Sequence, residues 1–231
     1  MNLSLLISKI KSFPYIIKGW AKPSFAQVGE DHILNYYFQS IGIKQPSYLD
    51  IGANMPVYGS NTYFFYSRGS SGVCIEPHPE LSEHIRKKRP KDIVLNIGIG
   101  VSDISSADYY IFPKKFSGWN TFSKEEAEYR NANGQPYEKV IQMPLKPVNN
   151  ILRDHFTHAP DFISIDVEGL DFDILKSLDF DQYAPKALIV ETLRMGDSNS
   201  AHKRTDIAEF LETKGYIVYA DTFVNTIFIK A

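Results

Sequence analysis

From about residue 25 onward, short apolar, β-branched runs alternate with stretches whose apolar positions recur every three to four residues. That alternation predicts strands separated by helices, and so a mostly parallel sheet covered on both faces. It places a helix over Gln27–Ile41, a strand over Tyr48–Ile51 ending in Gly52, helical or irregular chain through Tyr58–Arg68, and a strand over Gly72–Ile75. A helix over Pro79–Lys88 and a third strand over Ile93–Ile99 follow. Then the alternation breaks. Strand-like Asp108–Phe112 and Lys139–Met143 flank the polar segment Phe116–Pro136, which predicts an inserted hairpin or lid at about 108–143. Beyond it come a helix at Asn149–Phe156, a strand at Phe162–Val167, a helix at Asp171–Leu178, a strand at Ala187–Thr192 and a helix at Thr205–Lys214. Two last strands, Tyr216–Ala220 and Thr226–Ile229, are joined by too few residues for a parallel crossover, so they pair antiparallel. The fold class expected is α/β: a doubly wound, mostly parallel sheet ending in an antiparallel hairpin, an arrangement that departs from the six-strand dinucleotide fold.

Ahead of this, Leu3, Leu6, Ile7 and Ile10 fall at helical spacing with lysines between them, which predicts a short amphipathic helical segment over residues 1–23. Lys9, Lys11, Pro14 and Lys18 interrupt its apolar run, so no membrane span is expected, and no cleavage signal is visible. This segment, outside the main domain (24–231), reads as a helix packed on the core or on a partner subunit, as in a homodimer, ahead of peripheral attachment to a membrane surface.

Charge narrows the functional classes. The chain carries 25 Lys and Arg against 27 Asp and Glu, a formal net charge of −2. A general nucleic-acid binder needs clustered cations, and the one long run, Arg86-Lys87-Lys88-Arg89, reads as a solvated helix end. The single cysteine, Cys74, excludes an internal disulfide framework and a Cys-rich zinc site, which points to a reducing, cytoplasmic setting.

The chemistry-bearing residues gather where strands are expected to end. Asp50-Ile51-Gly52-Ala53-Asn54 puts a carboxylate and a glycine turn at the carboxyl end of the first strand. Glu76, followed by Pro77, ends the second strand, where an acid can accept hydrogen bonds from both hydroxyls of a ribose. Asp166-Val167-Glu168-Gly169 follows the run Phe162–Ile165, and Glu191 ends the next strand. Four acids at one sheet edge are costly without a compensating ligand or donor, so this edge is the expected site. The dinucleotide and P-loop fingerprints are both missing.

In order and spacing, these segments resemble the FkbM family of S-adenosylmethionine-dependent methyltransferases over roughly residues 24–230. The likeness is carried by Ser24–Asp31, Asp50–Asn54, Ser60-Asn61-Thr62, Ile75-Glu76-Pro77, Phe162–Gly169 and Ile189-Val190-Glu191. The resemblance implies a Rossmann-like class I methyltransferase sheet and O-methylation of a hydroxyl on a sugar, glycan precursor or related small metabolite. It implies that Asp50, Gly52 and Asn54 line the methionine end of the cofactor, with Asp50 near its ammonium, and that Ser60, Asn61 and Thr62 donate to its carboxylate. Glu76 with Pro77 would hold the ribose, Gly100 and Val101 would lie at the adenine edge, and Gln27 and Asp31 would close over the cofactor. Asp166 lies at the same edge.

Two arrangements compete for the chemistry. In one, Glu168, Asp166 or His202 takes the acceptor proton. In the other, Asp166 and Glu191 hold a magnesium or manganese ion that activates the hydroxyl. A nucleotide-sugar enzyme without methyl transfer, or a catalytically silent cofactor-binding module, are the alternatives. Of the aromatic clusters, Phe64 and Phe65 read as core, and Trp119, in a polar stretch, as a lid over the acceptor.

Overall fold

The computed structural model describes residues 22–102, 104–195 and 201–231; the predicted N-terminal amphipathic segment lies almost wholly outside them. In chain order the elements are α1 (Glu30–Ser40), β1 (Tyr48–Ile51), α2 (Tyr63–Tyr66), β2 (Gly72–Ile75), α3 (Pro79–Lys88), β3 (Ile93–Leu95), β4 (Gly98–Gly100) and β5 (Ser106–Ile111). A 3₁₀ turn (Lys114–Trp119) leads to α4 (Lys124–Ala132), β6 (Lys139–Pro147), α5 (Val148–His155), β7 (Phe162–Ile165), α6 (Asp171–Ser177) and β8 (Ala187–Glu191). Then come β9 (Leu193–Met195), β10 (Ala201–Lys203), α7 (Thr205–Thr213), β11 (Tyr216–Asp221) and β12 (Asn225–Lys230).

Seven strands form the main sheet in the order β11-β12-β8-β7-β1-β2-β3. The pairs β2–β3, β1–β2, β1–β7 and β7–β8 are parallel, whereas β12 runs antiparallel to both β8 and β11. The strand order reverses at β1 and β7, so the crevice beyond their carboxyl ends is where such a sheet binds ligands.

Side-chain alternation divides the core between the two faces. Leu49, Ile51, Val73, Ile75, Ile163 and Ile165 pack with Ile151 and Leu152 of α5, Ile174 and Leu175 of α6, and Ile207 and Leu211 of α7. Tyr48, Cys74, Phe162 and Ile189 face the other way, against Leu34 and Phe38 of α1, Phe64 and Phe65 of α2, and Ile85 of α3. Phe64 and Phe65 are therefore core, as expected. The strands are buried on both faces, which explains their unbroken apolar sequences.

Several boundaries differ from the sequence expectation. The first helix begins at Glu30; residues 25–29 form a bent approach that brings Gln27 over the sheet edge. The single strand expected over Ile93–Ile99 breaks in two. Asn96 donates through Nδ2 to the carbonyls of Glu76 (2.9 Å) and Pro77 (2.7 Å), and the chain leaves the main sheet there. Gly98–Gly100 then joins a second sheet, in the order β4-β6-β5. The insertion is the β5–β6 hairpin with the 3₁₀ turn and α4 between its strands, and β6 runs on to Pro147. His202 belongs to β10, paired with Arg194 of β9, rather than to a polar loop.

Candidate active site

At the end of β1 the chain turns through Gly52 with φ +84°. A Cβ there would lie 1.8 Å from the Asp166 carbonyl oxygen, so only glycine lets β1 and the chain after β7 approach this closely. Gly52 and Ala53 donate their N–H groups to the Ile75 carbonyl, and Asn54 follows at φ +47°, a conformation asparagine tolerates. The turn thereby pins the ends of β1, β2 and β7 into one corner.

Around that corner lies a narrow cavity lined by Gln27, Asp50, Gly52, Asn54, Ser60, Asn61, Glu76, Pro77 and Asp166 from the sequence-predicted set, together with Glu168. The insertion adds Tyr109, Ser117, Gly118, Asn120 and Phe122, and β7 adds Ser164. Ser117 Oγ donates to Asn54 Oδ1 at 3.3 Å, which draws the insertion across the opening.

Glu76 is buried, and each carboxylate oxygen accepts one backbone N–H at 2.7 Å, Oε2 from Asn54 and Oε1 from His78. Burial pushes its carboxyl up to about 7 against the pull of those two donors. His78 caps α3 by accepting the Glu80 N–H at 3.2 Å, a loop-forming role. Two buried polar atoms on this wall have no hydrogen-bond partner among the described residues: Asn61 Oδ1 and Asn120 Nδ2. Asn61 spends Nδ2 on Ser164 Oγ (3.0 Å), and Asn120 spends Oδ1 on the Phe112 N–H (2.8 Å). One unmet acceptor and one unmet donor, both buried in a cavity wall, call for a polar ligand.

Four predicted contacts are placed elsewhere. Asp31 takes donors from Ser24 Oγ, the Phe25 and Ala26 N–H groups and its successor His32 N–H, so it shapes the approach carrying Gln27 and does not line the cavity. Thr62 stands behind the wall, donating to Asp50 Oδ2. Gly100 pairs with Pro147 in the second sheet, and Val101 is exposed, because the chain has already left the main sheet at Asn96.

A second, wider cavity of about 770 Å³ opens beside the first. It is lined by Trp119, Ser123, Glu126, Arg130 and Asn133 of the insertion, by Gly169, Leu170, Asp171 and Asp173, and by Glu191 and Arg204. Glu168 is the acid common to both cavities. Carboxylate oxygens of Asp166, Glu168 and Glu191 lie within 4.8 Å of one another, so two of the four acids expected at the sheet edge, Asp166 and Glu191, come together with Glu168. Burial first pushes all three up: Asp166 to about 7, with repulsion from Asp171 and Asp50 second, and Glu168 and Glu191 well above the ordinary carboxylate range, with repulsion from Asp166 second. Asp171, at the start of α6, orders the loop that carries Asp166 and Glu168 by accepting the Val167 (3.1 Å) and Gly169 (3.2 Å) N–H groups.

Arg130 is the cation at this acidic centre. Its Nη2 donates to Glu168 Oε2 at 2.9 Å and to Glu126 Oε1 at 2.8 Å. Its guanidinium also covers the Trp119 ring at 4.7 Å, while Phe116 stacks on that ring at 4.2 Å and 7°. Held by these two contacts, the half-buried Trp119 forms part of the wall of the wider cavity, at the place where the sequence reading expects a lid. The insertion residues escape sequence reasoning because their approach is long-range; the polar stretch Ser117–Thr121 was their one local signal.

Strand order, the reversed strand β12 and a ligand crevice at the β1–β7 switch define a Rossmann-like class I methyltransferase fold. The chain belongs to the methyltransferase FkbM domain family, which matches residues 50–218. Among solved structures it is similar to a TehB-like SAM-dependent methyltransferase from Corynebacterium glutamicum, at 10% identity over 100% of both chains with a TM-score of 0.43. It is also similar to 1,6-didemethyltoxoflavin-N1-methyltransferase from Burkholderia thailandensis, at 9% identity over 97% of this chain and 85% of that one, TM-score 0.45. An O-methyltransferase from Bacillus cereus shares 13% identity over 100% of this chain and 92% of its own, TM-score 0.42. No curated protein matches.

Proposed function

We propose that this methyltransferase moves a methyl group from S-adenosylmethionine to a hydroxyl oxygen of an uncharged sugar, glycan precursor or related polyhydroxy metabolite. The observation that carries this reading is the meeting of two cavities at one ionisable group, Glu168. The narrow cavity fits the cofactor: Glu76 faces the ribose diol, Asp50 the amino-acid end, and the unmet Asn61 and Asn120 atoms supply one acceptor and one donor. When bound, S-adenosylmethionine supplies an electrophilic methyl, which the acceptor oxygen takes as the carbon–sulfur bond breaks and sulfur keeps the electron pair.

The chain's own residues align the acceptor and receive its proton. An alcohol is a poor nucleophile, so a base beside it is worth roughly 10²–10⁴ in rate. Three mutually repelling carboxyls cannot all ionise, and the Arg130 guanidinium on Glu168 favours placing the negative charge there. Glu168 then accepts the hydroxyl proton at the cavity junction, with Asp166 on the cofactor side and Glu191 on the acceptor side. Positive charge arriving in the narrow cavity lowers all three carboxyls and so readies the base.

The wider cavity also states a charge preference. Among the described residues, the Arg130 and Arg204 guanidiniums that line it are paired with acids through Nη2, Arg130 with Glu126 and Glu168 and Arg204 with Asp206 at 2.7 Å, amid several further acids. A phosphorylated or carboxylated acceptor would meet repulsion there. The metal reading gains Glu168 as a third oxygen donor. Against it, Arg130 already sits on that carboxylate, and we favour the base. The experiment is label transfer from methyl-tritiated S-adenosylmethionine to a panel of neutral polyols and their phosphorylated counterparts, with and without a chelator. Transfer to neutral members that survives chelation supports the proposal; transfer only to phosphorylated members, or only with added metal, rejects it.

A further inference from the structure

Behind the cofactor cavity lies a cation that the sequence pattern hides. In the run Arg86-Lys87-Lys88-Arg89, the first three residues are exposed on α3, but the helix ends at Lys88 and Arg89 turns inward at φ −127°, ψ 61°. Its side chain is completely buried. Nε donates to Asp92 Oδ2 at 2.7 Å, Nη2 to Thr62 Oγ1 at 2.8 Å and to the Tyr48 hydroxyl at 3.1 Å, and Nη1 to Ser60 Oγ at 3.3 Å. Nη1 also lies 3.9 Å from Asp50 Oδ2, the oxygen that accepts the Thr62 hydroxyl. Tyr48 in turn donates to Asp92 at 2.7 Å.

One guanidinium therefore organises three of the residues assigned to the amino-acid end of the cofactor, and touches none of the nucleoside side. Asp50 and Ser60 line the cavity; Arg89 and Thr62 do not. Asp50 is also the acid most in need of a partner. It is buried, Asp92 raises its carboxyl further, its own charge raises Glu76 and Asp166, and Arg89 is the cation that favours its ionised form. Lysine could supply the charge but not the fork, because a single ammonium cannot face Asp92, Thr62, Tyr48 and Ser60 in these directions.

We propose that Arg89 is a positioning residue for cofactor recognition, holding Asp50, Ser60 and Thr62 from behind so that they receive the amino-acid end of the cofactor. It acts through them and does not itself touch the ligand. The proposal rests on the methyltransferase reading above, and its test separates the two.

The probes are S-adenosylhomocysteine and 5′-methylthioadenosine, which share the nucleoside but differ in the amino-acid group. Both are titrated calorimetrically into the wild type, Arg89→Lys, Thr62→Val and Thr62→Ser. Losing a charge-assisted contact at this end costs roughly ten- to a hundredfold in affinity. Arg89→Lys and Thr62→Val are expected to lose that much for S-adenosylhomocysteine while holding methylthioadenosine within about twofold. Thr62→Ser restores the hydroxyl and is expected to bind both like the wild type. Equal weakening of the two probes would make Arg89 a purely structural residue and overturn the proposal, as would no weakening of either. Should Arg89→Lys not fold, the Thr62 pair decides by the same comparison. A wild-type chain that binds neither probe overturns the methyltransferase reading and this proposal with it.

Discussion

Replacing Gly52 by alanine tests how tightly the sheet corner is built. Two penalties act together. At φ +84° an L-residue is strained by roughly 1–2 kcal/mol. The new methyl would also sit 1.8 Å from the Asp166 carbonyl oxygen, where real Cβ atoms stay beyond 3.0 Å, so something must yield by at least 1.2 Å. Overpacking of this kind costs roughly 1–3 kcal/mol. The sum, about 2–5 kcal/mol, corresponds to a fall in Tm of roughly 4–20 °C for a chain of this size. Function suffers separately, because the displaced segment carries Asp166 and Glu168, and an ångström of misplacement at reacting groups costs on the order of a hundredfold. The assay is thermal unfolding alongside S-adenosylhomocysteine titration. Gly134→Ala is the control: φ is +78°, but nothing lies within 4 Å of its Cβ, so only the conformational penalty applies. A Gly52→Ala variant no less stable than this control, with wild-type affinity, would refute the reasoning.

Further outcomes follow from the buried acids. Glu76 titrates near 7 in the free protein and meets the ribose as a carboxylate. Its ionised share rises from about a tenth at pH 6 to about nine-tenths at pH 8, so methylthioadenosine affinity should rise about tenfold over that span; a flat profile measured by calorimetry contradicts the ribose assignment. Because the folded protein holds protons on Glu76, Asp166, Glu168 and Glu191 that the unfolded chain has released, unliganded stability should fall as pH rises from about 4.5 to about 7. Glu76 alone, raised from 4.5 to about 7, contributes roughly 3 kcal/mol of that fall, and urea unfolding at pH 5 and pH 8 would show no such fall if the acids were ordinary. Glu168→Gln should cut methyl transfer by roughly 10²–10⁴ while leaving S-adenosylhomocysteine binding within a few-fold, and full activity would remove the base. Asp171→Ala removes the acceptor for two backbone N–H groups of the catalytic loop, so it should lower stability by about 1–3 kcal/mol and reduce turnover.

The sheet was readable from local pattern because its strands are buried on both faces and their acids stand at the ends. Periodicity also carried the reversed final pair, since a five-residue connection leaves no room for a crossover. What escaped depends on contacts distant in sequence. Nothing local says that Asn96 bonds back to the carbonyls of Glu76 and Pro77 and ends β3 early. That early exit is why Gly100 and Val101 miss the cavity. A basic run on a helix reads as solvated, yet Arg89 lies one residue past the helix end and meets Asp50, Tyr48, Ser60 and Thr62 behind the sheet edge. The insertion was visible as a break in alternation, but its reach to Asn54 and Glu168, through Ser117, Thr121 and Arg130, is a product of the hairpin's fold over the crevice. Asp31 carried the right general location and the wrong partner, because an acid at a helix start serves backbone donors as readily as a ligand.

The central claim is that the corner closed by Gly52 is an S-adenosylmethionine site. Its most direct test is calorimetric titration of the wild-type chain with S-adenosylhomocysteine, with NAD and a nucleotide-sugar as controls. The account predicts one site per chain for S-adenosylhomocysteine, lost in Glu76→Ala, with both controls silent. Binding of NAD or the nucleotide-sugar in place of S-adenosylhomocysteine would contradict it.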